Sequence, residues 1–395
     1  MMIDVARARR DTPGCVETLH FDNAGASLMP TPVINTVLDH IKAEAAIGGY
    51  AAAAEAEDRI EGVYESIGSL LNCSTEEVAI VENATRAWDM AFYGQSFQPG
   101  DRVLTSRSAY ASNFIAYLQR ARRERISIEA LPADASGQIS VDALKAAVDE
   151  RVKLIAITHV PTNNGLVNPA AAVGEVARDH DIPYLLDACQ SVGQLPLDVE
   201  ALGCDMLSAT SRKYLRGPRG VGFLYVREEM LSQIEPPFLD LHAAEWTAPG
   251  EFRIRPDARR FENWESNIAA KLGMGIAIDY ALSWGIDTIG HFVGAVAGLL
   301  RERLAEIPGV SVTDIGEQKC GIVTFTTPLD GAEVRDSLRA DAINVAVSTR
   351  ASTLLDMDDR GLSEVVRASV HYFNTEREID HFCDALSALL RPGPQ

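Results

Sequence analysis

Residues 208–226 read SATSRKYLRGPRGVGFLYV, and the fold turns on that stretch. An apolar run gives way to a lysine between two arginines, then to a Gly-Pro-Arg-Gly turn and a second run rich in β-branched and aromatic residues. Two buried strands joined by such a turn put Lys213 on a loop at the end of a sheet. Upstream, residues 182–190, IPYLLDACQ, form another apolar run that closes on Asp187. Taken singly, the lysine is a solvated charge and the aspartate a helix N-cap. Taken together they mark one place, because open α/β sheets bind ligands beyond the carboxyl ends of their strands.

Working outward, short β-branched runs alternate with amphipathic stretches, the pattern of βαβ units and a largely parallel sheet. Strands are expected at 78–81, 102–105, 126–131, 153–158, 183–187, 205–209 and 221–226. Helices are expected at 84–93, 112–122, 140–149 and 169–179, with one opened by Thr31-Pro32 and an Ala-rich one over 51–71. Two long helices, 267–284 and 288–307, then precede a strand-rich tail with strands at 321–326 and 365–370. The expected fold class is α/β, with a large domain of residues 21–264 built on a mostly parallel seven-stranded sheet flanked by helices. A small α+β domain is expected from residues 265–395 together with the N-terminal segment 1–20.

Composition narrows the function. The 395 residues carry 36 basic and 56 acidic side chains, a formal charge of −20, which works against nucleic acid or an anionic membrane as partner. No long apolar stretch follows Arg7, Arg9 and Arg10, and the protein is expected to be soluble and cytoplasmic. Six scattered cysteines with no CxxC pair read as reduced packing residues, and no metal-binding cluster is evident. Neither HExxH, GxxxxGK[ST], GxSxG nor GxGxxG occurs.

A strand-end aspartate and a loop lysine fit a pyridoxal phosphate site. The Lys213 amine makes a Schiff base with the cofactor aldehyde, and the Asp187 carboxylate pairs with the ring nitrogen and keeps it protonated. Opposite charges 4 Å apart at an effective dielectric near 20 interact by about 4 kcal/mol, enough to raise the ring pKa by roughly three units before desolvation subtracts its share. The cofactor also needs an anion site. Residues 82–88, ENATRAW, open a helix directly after a short strand, so its first N–H groups, the Thr85 hydroxyl and the helix dipole suit a phosphate. Thr210, Ser211 and Arg212 complete the cup from the opposite side.

FDNAGA (21–26), ENAT (82–85), THVPTNNG (158–165), LLDACQSVG (185–193), the lysine segment and VRASVHYFNT (366–375) occur in an order and spacing that resembles the class V aminotransferases, the group that includes cysteine desulfurases and selenocysteine lyases. The resemblance implies a fold-type I architecture and a homodimer whose sites lie near the subunit interface. It implies Lys213 as the Schiff-base lysine, Asp187 on the ring nitrogen and Gln190 on the phenolic oxygen. Ala84, Thr85, Arg86, Thr210 and Arg212 fall in the cofactor-binding segments, and Tyr110 falls where the family stacks an aromatic over the ring. It puts Arg367 on the substrate α-carboxylate, assisted by Arg350, with Asn23, Ala24, Thr162 and Asn163 in the substrate-binding segments. Residues 260–267, RFENWESN, correspond to the stretch that reaches the partner's phosphate through Ser266 or Asn267.

Two departures bear on the reaction. Desulfurases carry a thiol on the loop before the carboxylate-binding arginine, and residues 352–366 contain no cysteine. PTNNG replaces the family's usual string before Gly165, leaving open whether Thr162 or Asn163 faces the cofactor. Without a thiol the scaffold still supports loss of a leaving group after Cα–H removal, with Lys213 as base. The expected activity is therefore C–S lyase chemistry, β-elimination on a cysteine-derived amino acid, with transamination and epimerisation as alternatives. His159 reads as a structural histidine near the site, and Trp246, Trp264 and the arginines of 253–260 read either as an entrance or as solvated charges on a helix-poor loop.

Overall fold

The computed structural model describes residues 3–391, so the outermost ends of the expected small domain lie outside the described residues. Seven strands form the main sheet: β1 (Val78–Val81), β2 (Arg102–Ser106), β3 (Ser127–Leu131), β4 (Val152–Thr158), β5 (Tyr184–Asp187), β6 (Met206–Thr210) and β7 (Gly222–Val226). Their spatial order is β1-β7-β6-β5-β4-β2-β3. All neighbours are parallel except β7, which runs antiparallel to both β1 and β6. The linker between β6 and β7 holds the lysine loop and no helix, and a parallel return would need a longer crossover.

β1, β5, β6 and β7 are buried at every position, so the sheet needs cover on both faces. The flanking helices are α1 (Thr31–Ile47), α2 (Glu57–Leu71), α3 (Ala84–Tyr93), α4 (Ala111–Glu124), α5 (Ala170–Asp179) and α6 (Ile268–Trp284). Alternation along β4 sorts them. Ile155 and Ile157 join a core with Ile67 of α2, Val173 of α5 and Met274 of α6. Leu154 and Ala156 point the other way, into a core with Trp88 and Phe92 of α3 and Tyr117 of α4.

Beyond α6, α7 (Ile286–Ala305) leads to a second sheet. A hairpin of β8 (Ala244–Ala248) and β9 (Glu251–Ile254) precedes α6, and β10 (Ser311–Val312), β11 (Ile322–Thr326), β12 (Ala346–Thr349) and β13 (Glu364–Ser369) form an antiparallel sheet ordered β10-β11-β13-β12. A short helix, α8 (Leu354–Asp359), lies between β12 and β13, and α9 (Glu376–Leu389) closes the described chain. The N-terminal segment belongs here too: Leu19–His20 pairs with Ile343–Asn344, and Ile3, Ala8 and Cys15 enter the same apolar core as Phe325 and Phe382.

Four expectations are corrected. The Ala-rich helix 51–71 is two helices, Gly49–Glu55 and α2, because Ala56 leaves helical geometry and Glu57 and Asp58 begin a new first turn that favours acidic side chains. A boundary at residue 265 falls ahead of a helix shared by both cores: Ala270, Met274 and Ile278 of α6 pack with the large sheet, whereas Tyr280, Ala281 and Trp284 pack with the small one. Residues around 253–260 are not simply a loop, since Arg253 lies on β9. The tail expected to be rich in strands also holds helices Gly331–Ala340 and α9, whose amphipathic faces supply Val334, Leu338, Ile379 and Phe382 to the second core.

Candidate active site

Four parallel strands of the sheet end at one edge, and the turns that follow them enclose a cavity of about 420 Å³. β4 brings Thr158, Val160 and Thr162; β5 brings Asp187, Cys189 and Gln190; β6 brings Thr210, Arg212 and Lys213; the turn after β2 brings Tyr110. Across the sheet β1 feeds Asn83, Ala84 and Thr85 into the same wall. The volume is in the range of small-molecule and cofactor sites.

α3 begins at this wall because Asn83 caps it, its Oδ1 accepting the Arg86 backbone N–H at 2.9 Å. The amides of Ala84 and Thr85 precede that bond and belong to the helix start, where an anion is stabilised. Gly222 makes the approach possible. A Cβ there would lie 2.4 Å from the Ala209 carbonyl oxygen and 3.2 Å from the Ala84 nitrogen, so only glycine lets β6, β7 and the start of α3 meet.

Asp187 is buried and held at both oxygens: Oδ1 accepts the Cys189 N–H at 3.0 Å and Oδ2 accepts Asn113 Nδ2 at 2.8 Å. Burial pushes its carboxyl above the usual range, against the pull of those two donors, the Lys213 charge and the Thr158 hydroxyl. Burial lowers the Lys213 amine; the Cys189 thiol and Asp187 oppose that shift, while Arg212 and Arg367 reinforce it. An amine depressed in this way is more often free of its proton and so more nucleophilic.

Gln190 donates through Nε2 to the Ala24 carbonyl at 3.1 Å and to Thr162 Oγ1 at 3.4 Å, leaving its buried Oε1 without a partner. Ser211 Oγ is likewise buried and unpartnered. Arg367 lies behind Thr162, donating to its hydroxyl at 2.5 Å and to Asp22 Oδ1 at 3.0 Å, with a buried Nε left over. A carboxylate, an amine, hydroxyls and helix-start N–H groups around one cavity are the donor set that pyridoxal phosphate requires: for the ring nitrogen, the aldehyde and the phosphate respectively.

The cavity gathers Ala84, Thr85, Tyr110, Thr162, Asp187, Gln190, Thr210, Arg212 and Lys213. It does not gather the rest of the residues expected from sequence. Arg86 turns its guanidinium to Asn263 Oδ1 at 3.4 Å and over the Phe238 ring, because one turn of helix aims it away from the helix start. Arg350 is exposed, paired with Asp358 and outside the cavity lining. Asn23 is a buried brace, donating to the Ser369 carbonyl at 2.7 Å and accepting from Ser27, while Ala24 offers only its backbone. Of Thr162 and Asn163, Thr162 faces the cavity; Asn163 donates to Thr353 Oγ1 at 2.9 Å. His159 is buried outside the lining with Nδ1 unpartnered, and burial depresses its pKa to about 4. Trp246 and Trp264 are exposed, Asn267 caps α6, and Ser266 lines a separate cleft with Tyr64, His242 and Lys271.

Sequence reasoning missed Asn113, Cys189 and Asp22. Cys189 stood inside the string that named Asp187, and residues following a strand-end aspartate were a signal that could have found it. Asp22 stood inside FDNAGA beside Asn23, whereas Asn113 reaches the site only through the packing of α4, and no spacing announces it.

The Aminotransferase class-V family profile matches residues 19–382. A probable cysteine desulfurase of Methanothermobacter thermautotrophicus is 26% identical over 392 residues, covering 98% of each chain. The apo structure of a cysteine desulfurase from Thermococcus onnurineus superposes with a TM-score of 0.91 at 24% identity, over 99% of this chain and 98% of that one. The cystine C-S lyase C-DES, solved with its reaction product cysteine persulfide, superposes with a TM-score of 0.86 at 23% identity, over 95% of this chain and 99% of that one.

Proposed function

The chain belongs to the class V aminotransferase family, whose members are pyridoxal phosphate enzymes, and from that premise we propose that it cleaves a C–S bond of a cysteine-derived amino acid by β-elimination. One observation carries the reading: Lys213, Asp187 and Gln190 share a cavity while the segment 352–366 offers no thiol to receive sulfur. The relatives named as cysteine desulfurases support action on cysteine or its derivatives, and the fold shared with a cystine C-S lyase is compatible with elimination.

When bound, pyridoxal phosphate supplies an electron sink for the charge left at the substrate Cα. Lys213 would hold the cofactor through its amine, and its free Nζ would be the base for the substrate Cα proton. Asp187 would pair with the ring nitrogen, and Asn113 and the Cys189 N–H hold its two oxygens and oppose the upward push of burial. The start of α3, with Thr85, Thr210 and Arg212, would hold the phosphate. Tyr110, which lines the cavity, would cover the ring, and Arg367, held behind the lining by Asp22 and Thr162 with a buried Nε left over, would take the substrate carboxylate.

The enzyme works as a homodimer. Exposed Tyr50, Leu241, Trp246, Phe252 and Trp264 cluster around the 260–267 stretch and its hairpin and favour a partner surface there, and sedimentation would report the mass. Among the described residues no helix is long and apolar enough to cross a membrane, and no group of side chains could hold a metal ion.

The experiment is release of pyruvate from a panel of cysteine S-conjugates, cystine and cysteine sulfoxides. Pyruvate in step with loss of substrate is expected, with Lys213→Ala slower by about 10³-fold. Transfer of the amino group to a keto acid without pyruvate, or sulfur retained on a protein thiol, would overturn the reading.

A further inference from the structure

The segment that follows β12 is tied to the loops after β4 and β2, both of which line the cavity. Thr353, fully buried, receives Asn163 Nδ2 at 2.9 Å. Asp356, also buried, receives Asn164 Nδ2 at 3.3 Å and Arg360 at 3.1 Å, and Arg360 continues to the Asn163 and Thr313 carbonyls. Asn163 and Asn164 are themselves without exposure and directly follow Thr162, which lines the cavity. On the other side Asp359 takes both arms of Arg107, one at 2.6 Å. Arg107 stands three residues before Tyr110, which lines the cavity from the turn after the neighbouring strand β2.

Thus α8 spans from the loop after β4 to the turn after β2. The two asparagines that distinguish PTNNG serve this bridge and not the cavity. Buried side-chain amides with buried acceptors resist opening, since every broken bond leaves a polar group unsatisfied. A bidentate guanidinium–carboxylate pair fixes orientation as well as distance.

We propose that residues 350–360 are a fixed strut that sets the width of the mouth between Tyr110 and Thr162, selecting substrates by the size of the sulfur substituent, with Asn164 and Arg107 as positioning residues. The proposal rests on the C–S lyase reading for its substrate class, while the rigidity of the strut does not.

The test uses holoenzyme of the parent, Arg107→Ala, Asp356→Ala and Asp356→Asn, the last keeping an acceptor for Asn164. Amide hydrogen exchange over 350–360 should be slow in the parent and unchanged by S-methylcysteine, and faster by about tenfold in the two alanine variants. The ratio of kcat/KM for S-benzylcysteine over S-methylcysteine should rise by about fivefold in those variants, through KM, and stay near parental in Asp356→Asn. Rapid exchange in the parent, protection that appears only with substrate, or faster exchange with an unchanged ratio would overturn the strut. If neither conjugate yields pyruvate, the lyase reading fails alone; the same ratio is then read as dissociation constants from the cofactor absorbance.

Discussion

At the scale of single residues, the chemistry of this site is decided by burial as much as by residue type. Lys213 and Asp187 were legible in the sequence because a lysine loop and a strand-end carboxylate are local patterns; that Asn113 donates to Asp187 and opposes the effect of its burial was not. Arg350 and Arg367 look equally able to bind a carboxylate on paper, and only their surroundings separate them: one is exposed beside Asp358, the other is buried behind Thr162. His159 shows what burial costs. Its ring is neutral in the folded state, with a pKa near 4, whereas the unfolded chain protonates near 6.5. Between those values the unfolded state binds more protons, so this group's contribution to stability is complete above 6.5 and is lost as pH falls toward 4, by at most about 3 kcal/mol. Urea titrations at a series of pH values should show a shallower fall below pH 6.5 in His159→Gln than in the parent. Equal slopes would show that the ring does not titrate on unfolding.

At the scale of elements, strands and helices of the large domain follow from period and caps. α3 spans the residues expected from sequence, since ENAT supplies an N-cap and the apolar face begins at once. The short strands on the small-domain side and the hairpin β8–β9 escaped notice, because β8 and β9 are exposed and their residues show no buried alternation. The junction of β6, β7 and α3 is where an element-scale prediction is sharpest. Gly222→Ala places a methyl group against the Ala209 carbonyl and the first turn of α3. Stability should fall by about 2 kcal/mol in urea, and the pyridoxal phosphate dissociation constant should rise by about tenfold as the helix start is pushed back. A variant that binds the cofactor as the parent does would show that the phosphate wall does not depend on this approach.

At the scale of the whole molecule, Arg216 joins three parts of the chain that no local pattern connects. It is buried in the lysine loop, donating to the Leu28 carbonyl at 2.9 Å and the Tyr372 hydroxyl at 2.8 Å, and to Thr12, with its plane over Phe373. The N-terminal segment, the lysine loop and the end of β13 are thereby fixed to one another. Arg216→Ala should lower stability by about 3 kcal/mol because it leaves buried acceptors unpaired, and Arg216→Lys should recover little, since an ammonium lacks the planar fork. Denaturant midpoints of the three proteins check this, and full recovery by lysine would show that charge alone matters. From its residues in order, the chain determines an α/β sheet, a lysine loop, a strand-end carboxylate and a capped helix start at residue 84, because hydrophobic period, turn residues and caps act over a few positions. The tertiary structure alone decides that Asn113 supports Asp187, that Arg86 and Arg350 stand outside, that PTNNG braces α8, and that α6 serves two cores. Those outcomes depend on which buried polar groups find partners across hundreds of residues, and a partner brought close by folding leaves no trace in local spacing.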